Sequence, residues 1–134
     1  MTREQLNGHI ALRREKRQAE ETLASLRAAA SPGAQILTGM PHGTGISDKT
    51  GDLAAEIVDV ETQIERLEQE IAAQEPEIDA FLGEIRNSRT RTIFRLRLLK
   101  GYSWKEISSI LGKYSSPHSV SGSFYSYLKR IGLL

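Results

Sequence analysis

The sequence predicts an all-α protein, in which a long antiparallel, coiled-coil-like helical hairpin precedes a C-terminal three-helix module. Three observations predict this class. Two long segments are rich in helix-forming residues, the second of them carries an apolar heptad repeat, and short helical patterns separated by glycine and serine turns follow. We place the hairpin at residues 1–85 and the three-helix module at 86–134.

The first helix is predicted from Thr2 to Ala30. This stretch is rich in Glu, Arg, Gln, Ala and Leu, and its apolar residues fall on one stripe. Ser31-Pro32-Gly33 then ends the helix, and no periodic pattern is sustained up to Gly51. We therefore predict a flexible loop at 31–51, at the tip of the hairpin.

The second helix carries the clearest repeat in the chain, with isoleucine at every seventh residue and mostly apolar residues between them, as in a packed heptad seam. The predicted seam consists of Ile57, Val60, Ile64, Leu67, Ile71, Ile78, Phe81 and Ile85. Pro76 removes one backbone hydrogen bond, so we expect a break between Gln74 and Pro76. The pattern leaves open whether the first helix or a second chain covers the seam, and we predict a homodimer.

The two parts of the chain have opposite net charges. Residues 1–83 carry 8 basic and 15 acidic side chains, whereas residues 84–134 carry 10 basic and 2 acidic ones. Because a strongly basic module suits an anionic polymer, the search for function begins in the C-terminal part.

The module opens with two short helices. The first follows Asn87-Ser88 and ends at Gly101, where we expect a left-handed cap. A capping box follows, in which Ser103 and Glu106 exchange hydrogen bonds, and Gly112 closes the next helix. The residues predicted to face inward are Ile93, Leu96 and Leu99, then Ile107, Ile110 and Leu111.

The last helix is predicted to begin with Ser116 as its cap and Pro117 at its first position, and to run to about Arg130. Its predicted inward residues are Val120, Phe124, Tyr127 and Ile131. The opposite face has no large aliphatic group, and its polar residues could contact base edges. The predicted base-contacting residues are His118, Ser119, Ser121, Gly122, Tyr125 and Ser126.

Three short helices with a glycine-marked turn before the last one are typical of a helix-turn-helix, whose final helix enters the major groove of double-stranded DNA. Basic residues around that helix would bind backbone phosphates. These predicted phosphate contacts are Arg89, Arg91, Arg95, Arg97, Lys105, Lys113, Lys129 and Arg130.

The segment from Leu98 to Gly112, LLKGYSWKEISSILG, resembles the fourth-region helix-turn-helix of sigma-70-like factors. The layout of the whole chain is similar to that of small phage-encoded regulators of the ArpU and RinA type. This resemblance implies a transcriptional regulator that activates late or packaging genes of phages and prophages, with host RNA polymerase as a further candidate partner. The last helix lacks arginine on its exposed face, so the bidentate arginine–guanine contact is not expected.

Other classes of function have little support in the sequence. The chain has no cysteine, no two of its three histidines are spaced as helical metal ligands, and no apolar run approaches the ~20 residues that span a bilayer. Only two acidic residues occur among the last 51, too few for acid–base pairs. We therefore expect a cytoplasmic protein that is not an enzyme, without metal, cofactor, small-molecule substrate or membrane contact.

Two alternatives stay open at this point. A phage DNA-packaging component resembling a small terminase subunit would also combine a helix-turn-helix with a helical oligomerisation region, and would form a ring of many copies. An interaction protein whose acidic and basic parts neutralise one another would bind DNA weakly.

Overall fold

The computed structural model describes residues 1–31 and 45–134, the side chains of the second range from residue 51. Within these ranges every regular element is a helix and there is no strand, which confirms the predicted all-α class. The helices are α1 (Arg3–Ala29), α2 (Gly45–Gly83), α3 (Ser88–Lys100), α4 (Trp104–Leu111) and α5 (Pro117–Arg130).

Helix α2 begins earlier than predicted. Its first residue is Gly45, so residues 45–51 of the predicted loop at 31–51 are helical. The part of that loop at 32–44 lies outside the described residues.

Pro76 lies inside α2 without ending it, so the predicted break between Gln74 and Pro76 is wrong. A proline inside a helix removes one backbone hydrogen bond. Here the proline is exposed, and the buried side chains of Ile71 and Ile78 hold the turns before and after it. Side-chain burial on both sides therefore outweighs the one missing hydrogen bond.

The described chain divides into two compact units. The basic unit comprises Met1–Arg14 and Glu70–Leu134, and the acidic unit comprises Glu15–Gln69. The basic unit carries 13 basic and 7 acidic side chains, and the acidic unit carries 5 basic and 10 acidic ones. This division differs from the predicted domains 1–85 and 86–134, because both ends of the predicted hairpin belong to the unit that contains the C-terminal helices.

Aromatic contacts explain why the end of α2 belongs to the basic unit. Phe81 of α2 lies 5.6 Å from Phe94 of α3 and 6.4 Å from Tyr127 of α5, measured between ring centroids. Phe94 also stacks on Phe124 at 4.4 Å. The apolar residues buried with them are Leu6, Ile10, Ile78, Leu82, Ile85, Ile93, Leu98, Ile107, Val120 and Leu128. Together they form one core to which α1, α2 and the three C-terminal helices contribute.

Five of the ten predicted inward residues of the C-terminal helices are buried, namely Ile93, Ile107, Val120, Phe124 and Tyr127. The half-buried ones are Leu96, Leu99 and Leu111, and residues that the prediction omitted, Phe94, Leu98 and Leu128, are buried instead. Ile110 is 55% exposed, because in the eight-residue α4 Ile107 is the fully buried apolar residue. Ile131 is 42% exposed, since α5 has ended at Arg130 and the chain turns at Gly132.

In the acidic unit α1 and α2 run antiparallel. Lys16 pairs with Glu68 at 3.8 Å, and Arg27 pairs with Glu61 at 3.1 Å, so residue numbers fall along α2 as they rise along α1. Of the predicted seam residues in this unit, Leu67 is buried, and Ile57, Val60 and Ile64 are half-buried. The seam residues in the basic unit, Ile71, Ile78, Phe81 and Ile85, are all buried. The chain itself thus covers most of the seam.

Candidate nucleic-acid interface

Local capping fixes where α4 begins. The Ser103 hydroxyl accepts from the Glu106 amide at 3.2 Å, and the Glu106 carboxylate accepts from the Ser103 amide at 3.1 Å, so the predicted capping box is confirmed. Gly101 before it has φ 68°, the predicted left-handed cap of α3. The left-handed cap and the capping box together determine the turn between α3 and α4.

A second capping box begins α5. The Ser116 hydroxyl accepts from the Ser119 amide at 3.1 Å, and the Ser119 hydroxyl accepts from the Ser116 amide at 3.0 Å, with Pro117 at the first helical position as predicted. Ser119 therefore caps the helix, and its hydroxyl is already engaged. We accordingly remove it from the predicted base-contacting set.

The outer face of α5 is formed by polar residues and one aromatic. His118, Gly122, Tyr125 and Ser126 are exposed, whereas Ser121 is half-buried and its hydroxyl donates to the His118 carbonyl at 3.1 Å. A Cβ added to Gly122 would meet nothing within 4 Å, so this side of the helix is open to close approach. The exposed set offers donors and acceptors without a bulky aliphatic group.

Exposed cations lie on α5 itself and on α3, α4 and the turn that precedes α5. Those among the predicted phosphate contacts are Arg89, Arg95, Lys105, Lys113, Lys129 and Arg130. Arg89 donates to the Ser123 hydroxyl of α5 at 2.7 Å, which ties the start of α3 to the last helix. The remaining side chains project from α3, α4, the following turn and the end of α5.

Two of the predicted phosphate contacts also have structural roles. Arg91 donates to the carbonyls of Ile85 and Arg86, at 2.8 and 3.1 Å, and so fastens the connection between α2 and α3. Arg97 is half-buried and donates to the Tyr102 carbonyl at 2.8 Å. Charge alone could not distinguish these arginines from exposed ones, because their partners are backbone carbonyls.

Arg97 also lies against an aromatic cluster. Its guanidinium stands 4.1 Å from the centroid of Trp104, whose ring lies 5.0 Å from Phe124 and 6.0 Å from Tyr125. Burial lowers the pKa of Arg97, and the positive charge of Arg14 lowers it further. The cluster connects α3 to Tyr125 on the exposed face of α5.

Tyr114 is a surface residue that the sequence analysis missed. It lies in the turn between α4 and α5, is 92% exposed, and has the Lys113 ammonium 5.2 Å from its ring centroid. Aromatic and lysine side chains together suit a sugar–phosphate backbone. The adjacent Lys113-Tyr114 pair was the feature of the sequence from which this surface residue could have been predicted.

A cavity of about 400 Å³ lies elsewhere in the basic unit. It is lined by Met1, Glu4, Gln5, Gly8, Ala73, Gln74, Glu77 and Ile78. None of the predicted base or phosphate contacts borders it, so the candidate interface is the outer face of α5 and its surrounding cations. In the ranges that the structure describes, no group of three or more His, Cys, Asp or Glu residues could hold a metal ion.

Comparisons with protein-family models, with curated proteins and with solved structures give no match to this chain. Among the described helices, none combines the length and apolar character needed to cross a bilayer.

Proposed function

We propose that this protein is a sequence-specific regulator of transcription that binds double-stranded DNA through α5. The observation that carries the proposal is the outer face of α5, where exposed polar residues surround a glycine on a helix fixed by capping at one end and by core residues along its length. A rigid helix presented in this way matches the dimensions of the major groove.

The chemistry of this face suits contact with base edges. His118, Ser126 and Tyr125 carry groups that donate or accept hydrogen bonds, and all three are exposed. Gly122 lies between them and lets the helix backbone approach the base pairs. The absence of arginine on this face favours discrimination through several modest contacts over one dominant guanine contact.

Electrostatics supports the same partner. The basic unit has a net charge of +6, and exposed lysines and arginines lie on α5 and on the elements that precede it, α3, α4 and the turn between α4 and α5. Each cation that neutralises a phosphate releases counterions, so binding to DNA should weaken steeply as salt rises. The acidic unit has a net charge of −5, which disfavours contact with DNA. We therefore propose that the acidic unit associates with protein.

The regulatory role within this proposal rests on the resemblance of Leu98–Gly112 to sigma-70-like factors. We propose activation of late or packaging genes of a phage or prophage in the cytoplasm, with host RNA polymerase as a candidate partner. A homodimer would use the part of the seam that the chain covers least, at Ile57, Val60 and Ile64, beside the exposed Val58. Two copies would then contact two half-sites separated by whole turns of DNA.

Selection of bound duplexes from a random pool at near-physiological salt tests the proposal. We expect enrichment of a two-part motif whose halves are spaced by whole helical turns. Binding without any enriched sequence, by a ring of many copies in sedimentation, would favour the packaging component and contradict a sequence-specific regulator. No retention of any duplex would contradict DNA binding altogether.

A further inference from the structure

We propose that Arg14 of α1 and Arg97 of α3 form a phosphate-binding site through which the first helix contacts the DNA backbone. This inference rests on the proposed function and adds α1 to an interface that the sequence confined to residues 86–134.

Helix α1 lies beside the turn between α3 and α4. A Cβ built on Gly101 would lie 3.1 Å from the carbonyl carbon and oxygen of Arg13, so the backbones of α1 and the turn nearly touch. The Arg13 guanidinium also donates to the Leu99 carbonyl at 3.1 Å. Arg14 is the next residue of α1, and its positive charge lowers the pKa of Arg97, so the two guanidinium groups lie within electrostatic range of each other.

The guanidinium of Arg97 reaches the same turn. It donates to the Tyr102 carbonyl at 2.8 Å and stacks on Trp104 at 4.1 Å. Its Nε is buried without a hydrogen-bond partner. Stacking holds the guanidinium plane in place, which fixes the direction in which its N–H groups can meet the oxygens of a phosphate.

The positive charges of Arg14 and Arg97 are not balanced by carboxylates in the described ranges. The neighbouring cations of α1, Arg13, Lys16 and Arg17, each pair with a glutamate. Arg14 and Arg97 make no ion pair with any carboxylate in the described ranges, although the field of one guanidinium reaches the other. Two such cations at one turn create a local positive potential that favours an anion.

Trp104 connects Arg97 to Tyr125 on the outer face of α5. Trp104 separates Arg97 from Tyr125, with its ring centroid 6.0 Å from that of Tyr125. Trp104 is also the first residue of α4, and the helix that precedes a recognition helix crosses the DNA backbone. The anion that fits this position is thus a backbone phosphate beside the groove that α5 occupies.

The test is the salt dependence of binding to a mixed-sequence duplex, measured by fluorescence anisotropy between about 50 and 200 mM salt. We expect Arg14→Gln to weaken binding about 5- to 10-fold near 0.1 M salt and to reduce the slope of log K against log salt by about one. Arg14→Lys should keep most of the slope. Arg14 is exposed, so the variants should unfold at the wild-type midpoint.

Arg27→Gln is the matched control, because it removes the same charge from the same helix at a residue paired with Glu61 in the acidic unit. This variant should keep the wild-type slope. Equal slopes for wild type, Arg14→Gln and Arg27→Gln would overturn the phosphate site and leave the proposed function standing. Absence of salt-dependent binding by the wild type would overturn both.

Discussion

The buried ring of His9 and the side-chain amide of Gln74 are joined by a hydrogen bond of 2.9 Å between Nδ1 and Oε1. The other ring nitrogen of His9 accepts from Arg13 Nε at 3.2 Å. The two bonds together require a neutral ring with its proton on Nδ1. This pair explains why a polar residue interrupts the apolar heptad repeat of α2 at position 74.

The first prediction is a pH dependence of stability caused by His9. Burial lowers the pKa of His9 below its ordinary value of about 6.5, and the charge of Arg13 acts in the same direction, against the Gln74 hydrogen bond and Glu75. The unfolded chain therefore binds more protons than the folded one just below that value. We expect the free energy of unfolding to be highest above pH 7 and to fall as pH falls through about 6.5.

Urea unfolding at a series of pH values checks this prediction. His9→Gln keeps a polar side chain beside Gln74 but cannot take up a proton, so its stability should change less over the same pH range. Identical pH profiles for the wild type and His9→Gln would contradict the assignment.

The second prediction concerns Gly101, which has a positive φ and at which an added Cβ would lie 3.1 Å from the backbone of Arg13, closer than ordinary van der Waals contact. Gly101→Ala should destabilise the protein by about 2 kcal/mol, because backbone strain adds to the shift that the new Cβ imposes on the Arg13 backbone. Gly132→Ala is the control, since Gly132 has φ 81° and open space around it. It should show backbone strain alone, about 1 kcal/mol. Equal losses in thermal unfolding would show that α1 does not contact this turn.

The third prediction separates helix stability from DNA binding at Gly122. Gly122 and Gly8 are both helical, and a Cβ would meet nothing within 4 Å at either. Replacement by alanine should therefore stabilise the protein by up to ~1 kcal/mol in both cases. Only Gly122→Ala should weaken binding to the selected duplex, because the added methyl group faces the bases. Unchanged DNA affinity in Gly122→Ala would argue against insertion of this face of α5.

The fourth prediction distinguishes two arginines of α3. Arg91 donates to two backbone carbonyls, so Arg91→Ala should lower the free energy of unfolding by about 1–3 kcal/mol. Arg95 is exposed, and Arg95→Ala should keep wild-type stability but weaken binding to all duplexes about equally. Unfolding and anisotropy measurements on both variants check the pair. A stability loss in Arg95→Ala, or none in Arg91→Ala, would reverse the assigned roles.

Features that depend on residues close together in the chain were predictable from the sequence. The capping box of Ser103 and Glu106 joins residues three positions apart, and the caps at Ser116 and Gly101 follow from a serine before a proline and a glycine after a helical pattern. The polar outer face of α5 followed from helical periodicity, because α5 is regular over its whole length.

Features that depend on tertiary packing could not be predicted in this way. The continuity of α2 through Pro76 depends on burial on both sides of the proline, and local preference alone predicted a break there. The exposure of Ile131 follows from the end of α5 one residue earlier. The approach of α1 to Gly101, on which the proposed site of Arg14 and Arg97 depends, is a tertiary contact that no periodic sequence pattern predicts.

Nuclear magnetic resonance of the isotopically labelled full chain, titrated with the selected duplex, would show whether α5 is the helix that contacts DNA. We predict that amide shift changes concentrate at His118, Gly122, Tyr125 and Ser126, with smaller changes at the surrounding exposed cations. The amides of the acidic unit should change least. Changes concentrated in the acidic unit, with the outer face of α5 unaffected, would contradict the account.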